Sequence, residues 1–187
     1  MEAGIYTMED KNRSVAIYGG SFDPPHIGHL EIIKKALYTL PIEKLIVIPA
    51  FISPFKKGHF APPELRLKWL ENITYFDNRI EISDFELKKS KKSYTIDTVN
   101  HFSSVYDTIF FIIGADNLKS LHKWHKFDEL DKKVKWVVVT RDDVKIPDKF
   151  IKLDIDIPIS SSILREEIDP NKIPEEIRDE VVKFYKN

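Results

Sequence analysis

Two histidines stand three residues apart in "YGGSFDPPHIGHLEIIKKAL", residues 18–37, with Gly28 between them and a helical pattern beginning at Ile27. Side chains three apart at a helix start face one side, so His26 and His29 can flank a single ligand. Gly28 removes a side chain that would crowd it. Upstream, Gly19 and Gly20 close an apolar run and let the backbone turn tightly and approach a ligand without a Cβ in the way. The helix start adds unpaired N–H groups and a partial positive charge, each exposed interaction being worth roughly 0.3–1 kcal/mol. A metal site would need further ligands, yet the chain has no cysteine and no H-E-x-x-H element. Phosphate oxygens need no third partner. The spacing therefore favours a phosphate site over a metal site, and over a plain strand–helix turn with incidental histidines.

Other stretches carry weaker signals. In "ISSSILRE", 159–166, Ser160, Ser161 and Ser162 can cap a helix and offer hydroxyls and amides. Arg165 follows one turn in, with a planar guanidinium suited to phosphate. Alone, this element reads more simply as an N-cap with a surface arginine. Gly114 at the end of "TIFFIIG" can admit a nucleotide, and Asp116 can accept from ribose hydroxyls. Trp124 offers a flat π-face to an aromatic ring, or a core residue to an amphipathic helix. His122 and His125 are also three apart, but no third metal ligand is evident. Lys88–Lys92 reads as a solvated basic loop.

The elements that must position these residues follow from hydrophobic period. "SVAIYGG", "KLIVIPA" (44–50), "NRIEISDFEL" (78–87), "TIFFIIGAD" (108–116), "KWVVVT" (135–140) and a weaker run at 151–157 read as strands. The near-continuous apolar runs at 108–116 and 135–140 mark central strands buried on both faces. Between them, Ile27, Leu30, Ile33 and Leu37 recur at helical spacing up to Pro41. Further helices are predicted from Glu64 to Phe76, over "TIDTVNHFSSVY" with Asp or Thr near its cap, and over "SSSILREEI" and "PEEIRDEVVKFYK". The segment from Ser53 to Pro63 is a loop. Alternating strands and helices predict a doubly wound, Rossmann-like, mostly parallel α/β sheet with a small C-terminal helical segment. Ligands of such sheets sit beyond the carboxyl ends of the strands. Residues 18–29, 49–57 and 114–116 all fall there. Residues 1–14 lack periodicity and read as a flexible extension, with Met8 as an alternative start; residues 15–187 then form one domain.

The composition is that of a globular chain with a real core: 42% hydrophobic and 32% charged over 187 residues. A formal net charge of −1 argues against binding a nucleic acid polymer. There is no apolar run of membrane-spanning length and no signal-peptide pattern at the N-terminus. A cytoplasmic location is expected; oligomeric state is not legible.

"GGSFDPPHIGH" closely resembles the G-G-[ST]-F-D-P-x-H-x-G-H signature of the nucleotidyltransferase superfamily, and "ISSSILR" resembles its I-S-S-T-x-[IV]-R element. Ser162 and Leu164 replace the commoner threonine and the isoleucine or valine. "HIGH" is also the signature of class I aminoacyl-tRNA synthetases, but 187 residues with no K-M-S-K-S-like loop argue against one. "KKSYTIDTV" and "FIIGADNLKSLHKW" are similar to S-Y-T-x-[DQ]-T-L and F-I-I-G-A-D-x-L-x-x-L-x-x-W of nicotinate-mononucleotide adenylyltransferases. The likeness spans residues 15 to about 186.

The resemblance implies adenylyl transfer from ATP to nicotinate mononucleotide, with Mg2+ arriving on the ATP and no metal site on the protein. His26, His29 and Arg165 would act on the phosphates. Gly19, Gly20, Ser21, Phe22, Gly28, Lys56, Gly114, Asp116 and Ser160–Ser162 would bind ATP. Ser93, Tyr94, Thr95, Trp124 and, more weakly, Arg141 would bind the acceptor. Phe55 stands where the family's P-P-H-[KR] loop has histidine, and "RDD" at 141–143 replaces its R-P-G. The alternatives are another small adenylyltransferase, taking phosphopantetheine or nicotinamide mononucleotide, and a non-catalytic nucleotide-binding module. Phosphopantetheine enzymes usually carry threonine at the first histidine and lack the S-Y-T and G-A-D-x-L…W stretches.

Overall fold

Short apolar runs separated by helical patterns build a parallel sheet. The strands are β1 (Ser14–Gly20), β2 (Lys44–Pro49), β3 (Ile80–Ile82), β4 (Thr108–Gly114), β5 (Val134–Val139) and β6 (Ile151–Leu153). In the computed structural model, which describes residues 12–51, 60–89, 93–140, 144–155, 157 and 159–186, they lie in the order β3-β2-β1-β4-β5-β6. Every pairing is parallel. The helices are α1 (Ile27–Thr39), α2 (Pro63–Thr74), α3 (Phe85–Lys88), α4 (Thr95–Phe102), α5 (Phe127–Lys133), α6 (Ser161–Glu166) and α7 (Arg178–Lys186).

Alternation along the strands divides the core in two, because successive side chains leave a strand on opposite faces. Ala16, Tyr18, Leu45, Val47, Phe110 and Ile112 pack with residues of α1, α2, α6 and α7, including Ile33, Trp69, Leu164 and Val181. Val15, Ile17, Ile46, Phe111 and Ile113 pack with residues of α4 and α5, including Ile96, Val99 and Leu130. Both faces are covered, which is why the central strands read as unbroken apolar runs. The chain runs outward from β1 through β2 to β3, then returns to β4 on the other side of β1. Strand order reverses between β1 and β4, so a crevice is expected beyond their carboxyl ends.

Four details differ from the sequence prediction. The third strand spans only Ile80–Ile82, and residues 85–88 make a helical turn instead. That turn is held by Phe85 N donating to Ser83 Oγ (3.3 Å) and by a Lys88–Asp84 ion pair (3.0 Å). The helix beginning at Thr95 stops at Phe102, where the Ser103 hydroxyl folds back on the Val99 carbonyl (2.8 Å); Tyr94 is its cap, with Thr95 and Asp97 in the first turn as expected. The strand predicted at 151–157 is three residues long. Helix α5 has no counterpart in the sequence reading. Ahead of β1, Arg13 is already docked, its carbonyl accepting from Asp107 N (2.9 Å) and Thr108 N (3.1 Å).

Candidate active site

The loop after β1 delivers the histidines to the mouth of the sheet. His26 is the N-cap of α1 and is 4% exposed; His29 is the third helical residue. Each ring caps the other's backbone: His29 N donates to His26 Nδ1 (3.3 Å) and His26 N donates to His29 Nδ1 (3.2 Å). A capping box normally uses hydroxyl and carboxylate acceptors; imidazole nitrogens fill both places here. With both Nδ1 atoms accepting, the neutral rings carry their proton on Nε2, at the opposite edge. The rings stack with centroids 3.6 Å apart, and Phe22 meets His29 edge-on at 4.9 Å. Two Nε2–H donors are thereby presented side by side.

Gly28 sits beneath this pair. A Cβ there would stand 2.7 Å from Ile159 Cγ2 and 3.0 Å from His26 Nδ1. Glycine is thus required by close packing between α1 and the segment entering α6. Phe22 has φ 47°, a left-handed conformation that strains a bulky residue by about 1–3 kcal/mol and persists only when its surroundings impose it.

A cavity of about 690 Å³ opens beyond the carboxyl ends of β1 and β4. Gly19, Gly20, Ser21, Phe22, His26, Gly28 and His29 line one side of it. Ser160, Ser161 and Ser162 line it from α6, with Ser160 Oγ capping Ile163 N at 3.3 Å. Gly114 and Asp116 lie at the end of β4, and Ser93, Tyr94, Thr95 and Trp124 are also in the wall. Trp124 meets Trp136 edge-on at 6.0 Å and packs against the second core while also lining the cavity. His125 pairs with the Tyr94 ring at 4.4 Å, not with His122.

Arg165 is placed differently from the serines. Its guanidinium donates to the Asp23 carbonyl (2.5 Å) and to Ser162 Oγ (3.2 Å) and lies 4.9 Å from the centre of the Phe60 ring. It is not among the residues that line the cavity, and two of its five N–H donors account for these bonds. Lys56, Phe55 and Arg141 lie outside the described residues.

Four residues of the site were not singled out from sequence. Asp23, 2% exposed, accepts from Phe60 N (2.8 Å), Ala61 N (3.0 Å) and the Tyr185 hydroxyl. Arg66, fully buried, donates to the carbonyls of Ser21 (2.6 Å), Ala50 (2.9 Å) and Ala61 (3.3 Å). Burial lowers its proton affinity, and the carboxylate of Asp23 opposes that effect. Glu86 lines the cavity near the S-Y-T turn; burial raises its pKa against a hydrogen bond from Thr98 Oγ1 (2.8 Å). Burial, reinforced by nearby Asp116, likewise pushes the Tyr18 phenol upward, so it stays protonated. For Arg66 a signal existed: with Trp69, Leu70 and Ile73 it falls on the apolar face of α2.

Among the described residues, no group of three or more His, Asp or Glu is placed to hold a metal ion, and no helix is long and apolar enough to cross a membrane. A cytidylyltransferase-like family model matches residues 17–167. A protein of Sulfurimonas denitrificans described as "Probable nicotinate-nucleotide adenylyltransferase" is 46% identical over 173 residues, covering 92% of this chain and 95% of the relative. One of Campylobacter fetus with the same description is 44% identical, covering 92% and 97%. Among solved structures, a Plasmodium falciparum nicotinic acid mononucleotide adenylyltransferase complexed with NaAD superposes with a TM-score of 0.73 at 23% identity, covering 93% of this chain and 98% of that one. That last likeness is one of fold.

Proposed function

The chain belongs to the cytidylyltransferase-like family, and from that premise we infer that it is a nicotinate-nucleotide adenylyltransferase of NAD biosynthesis. It transfers AMP from ATP to the 5′-phosphate of nicotinate mononucleotide, releasing deamido-NAD and pyrophosphate. The observation that carries this reading is the meeting, in one cavity at the strand-order reversal, of a histidine pair, a serine-capped helix and a tryptophan wall.

An oxygen of the mononucleotide phosphate attacks the α-phosphorus of ATP in line. One P–O bond forms as the bond to the β-phosphate bridging oxygen breaks, so no protein nucleophile is needed. Catalysis is positioning and charge neutralisation. We assign the two Nε2–H groups of His26 and His29 to the oxygens of the α-phosphate, where negative charge shifts during transfer. The amides at the start of α1 add to the same field. Ser160–Ser162 and the remaining donors of Arg165 are assigned to the β- and γ-phosphates and the departing pyrophosphate, with Lys56 as a further cation. Gly114 and Asp116 are assigned to the adenosine side. Ser93, Tyr94, Thr95 and Trp124, with Arg141, are assigned to the acceptor. Mg2+ is assigned to the triphosphate, held mainly by phosphate oxygens and water and neutralising charge there. Residues 15–187 are read as one domain.

Pyrophosphate release tests the reading, with ATP and nicotinate mononucleotide, nicotinamide mononucleotide or phosphopantetheine in parallel. The nicotinate acceptor should give the highest kcat/KM. Release with phosphopantetheine alone would move the chain to a different branch, and no release with any acceptor would leave a nucleotide-binding module.

A further inference from the structure

The five residues that join β1 to the histidine-capped helix, Ser21–Pro25, are held from several directions at once. The Ser21 carbonyl accepts from Arg66 (2.6 Å), the Asp23 carbonyl from Arg165 (2.5 Å) and the Pro24 carbonyl from Ser161 Oγ (2.9 Å). The Asp23 carboxylate is held by two amides of the segment leading into α2 and by the hydroxyl of Tyr185 on α7. These contacts enclose Phe22 in its left-handed conformation. His26 caps α1 two residues after Pro24, so its orientation is inherited from this segment.

We propose that Tyr185, with Arg66, is a positioning residue for adenylyl transfer: it fixes Asp23, and through Asp23 the angle at which His26 and His29 present their Nε2–H donors. Neither residue lies in a phosphate-binding motif, and neither lines the cavity. Tyr185 reaches Asp23 across 162 residues of sequence. Its ring has separate duties, packing beside Phe184 (4.9 Å) and Trp69 (6.2 Å). The hydroxyl can therefore be removed without removing the ring. Arg66 is fully buried and its loss endangers folding, which makes Tyr185 the informative site.

The kinetic arm rests on the adenylyltransferase reading; a second arm does not. In Tyr185→Phe, kcat should fall about tenfold, less than the 10²-fold of a full 1 Å misplacement, with KM for both substrates within about twofold. Combining it with Asp23→Asn should add little to the larger single effect, because both variants break one connection. Independently of turnover, the 15N resonances of His26 and His29 in the wild type should show a well-separated Nδ1 acceptor and Nε2–H donor in each ring. Tyr185→Phe should draw these resonances together as the reciprocal caps loosen. A lowered melting temperature with unchanged kcat and unchanged imidazole resonances would reduce the hydroxyl to a fold staple and overturn the proposal. Additive effects of the two substitutions would also overturn it. Absence of wild-type turnover would sink the activity reading and leave the imidazole test to decide the positioning claim.

Discussion

Replacing Gly28 with alanine adds one methyl group where α1 packs against Ile159, in the segment entering α6. Alanine is favoured over glycine inside a helix by about 1 kcal/mol, so secondary structure alone predicts a gain in stability. Packing predicts the opposite: the new Cβ would stand 2.7 Å from Ile159 Cγ2, about 1 Å inside the optimal carbon–carbon separation of ~3.5–4.0 Å. Neither neighbour is the loose end of a flexible chain. Ile159 is buried and directly precedes the capping Ser160, and His26 Nδ1, at 3.0 Å, is already accepting from His29 N. Overpacking of this kind costs about 1–3 kcal/mol, leaving a net loss of roughly 0–2 kcal/mol after the helical gain. For a chain of this size that is a fall in Tm of at most about 4–8 °C. Activity should suffer much more. Relief of about 1 Å must come from moving one jaw relative to the other, and a displacement of that size costs about 10²-fold in rate. Pyrophosphate release under saturating substrates, beside a thermal melt, measures both quantities. Adding Ile159→Ala should restore part of kcat while lowering Tm further. A Gly28→Ala enzyme within about threefold of wild-type kcat would refute the close-packing argument.

His29→Ala removes one Nε2–H donor and the acceptor of the His26 amide, and should lower kcat by on the order of 10²-fold or more while the melt stays cooperative. Turnover near wild type would sink its assignment to the α-phosphate. Trp124→Ala should raise KM for the mononucleotide far more than KM for ATP; equal changes would mean that its packing on Trp136 is its whole role. Glu86 is held above its ordinary carboxylate pKa by burial, so the folded protein binds its proton more tightly than the unfolded chain does. Stability from this group is full below pH 4.5 and is lost as pH rises through the raised value. Glu86→Gln should therefore raise Tm at pH 7 relative to wild type and change it little near pH 4; the reverse pattern would show that the carboxylate is stabilised rather than strained.

The legible parts of this site are local ones. Gly19, Gly20, His26, Gly28 and His29 lie within eleven residues, and the bonds that cap α1 join its two histidines. Ser160–Ser162 and Arg165 were legible as a cap, yet nothing local to α6 says that Arg165 turns to the Asp23 carbonyl, because that acceptor is 142 residues away. Tyr185 and Asp23 are farther apart still, and a tyrosine with apolar neighbours gives no sign that its hydroxyl is engaged. Arg66 was readable from helical period, since a cation among Trp69, Leu70 and Ile73 must find acceptors when buried. The sheet was legible because its central strands are covered on both sides. Helix α5 was not: only Leu130 of its seven residues is buried, so its sequence carries almost no apolar stripe.

The strand order has a consequence for how this enzyme can be divided. The histidine jaw belongs to the half built by β1, β2 and β3, and the serine jaw to the half built by β4, β5 and β6. They are covalently joined between β3 and β4 by a stretch that includes α4. Neither half carries a whole cavity wall. Two fragments cut in that stretch would each be catalytically silent, and adenylyl transfer would report their reunion through the β1–β4 ladder.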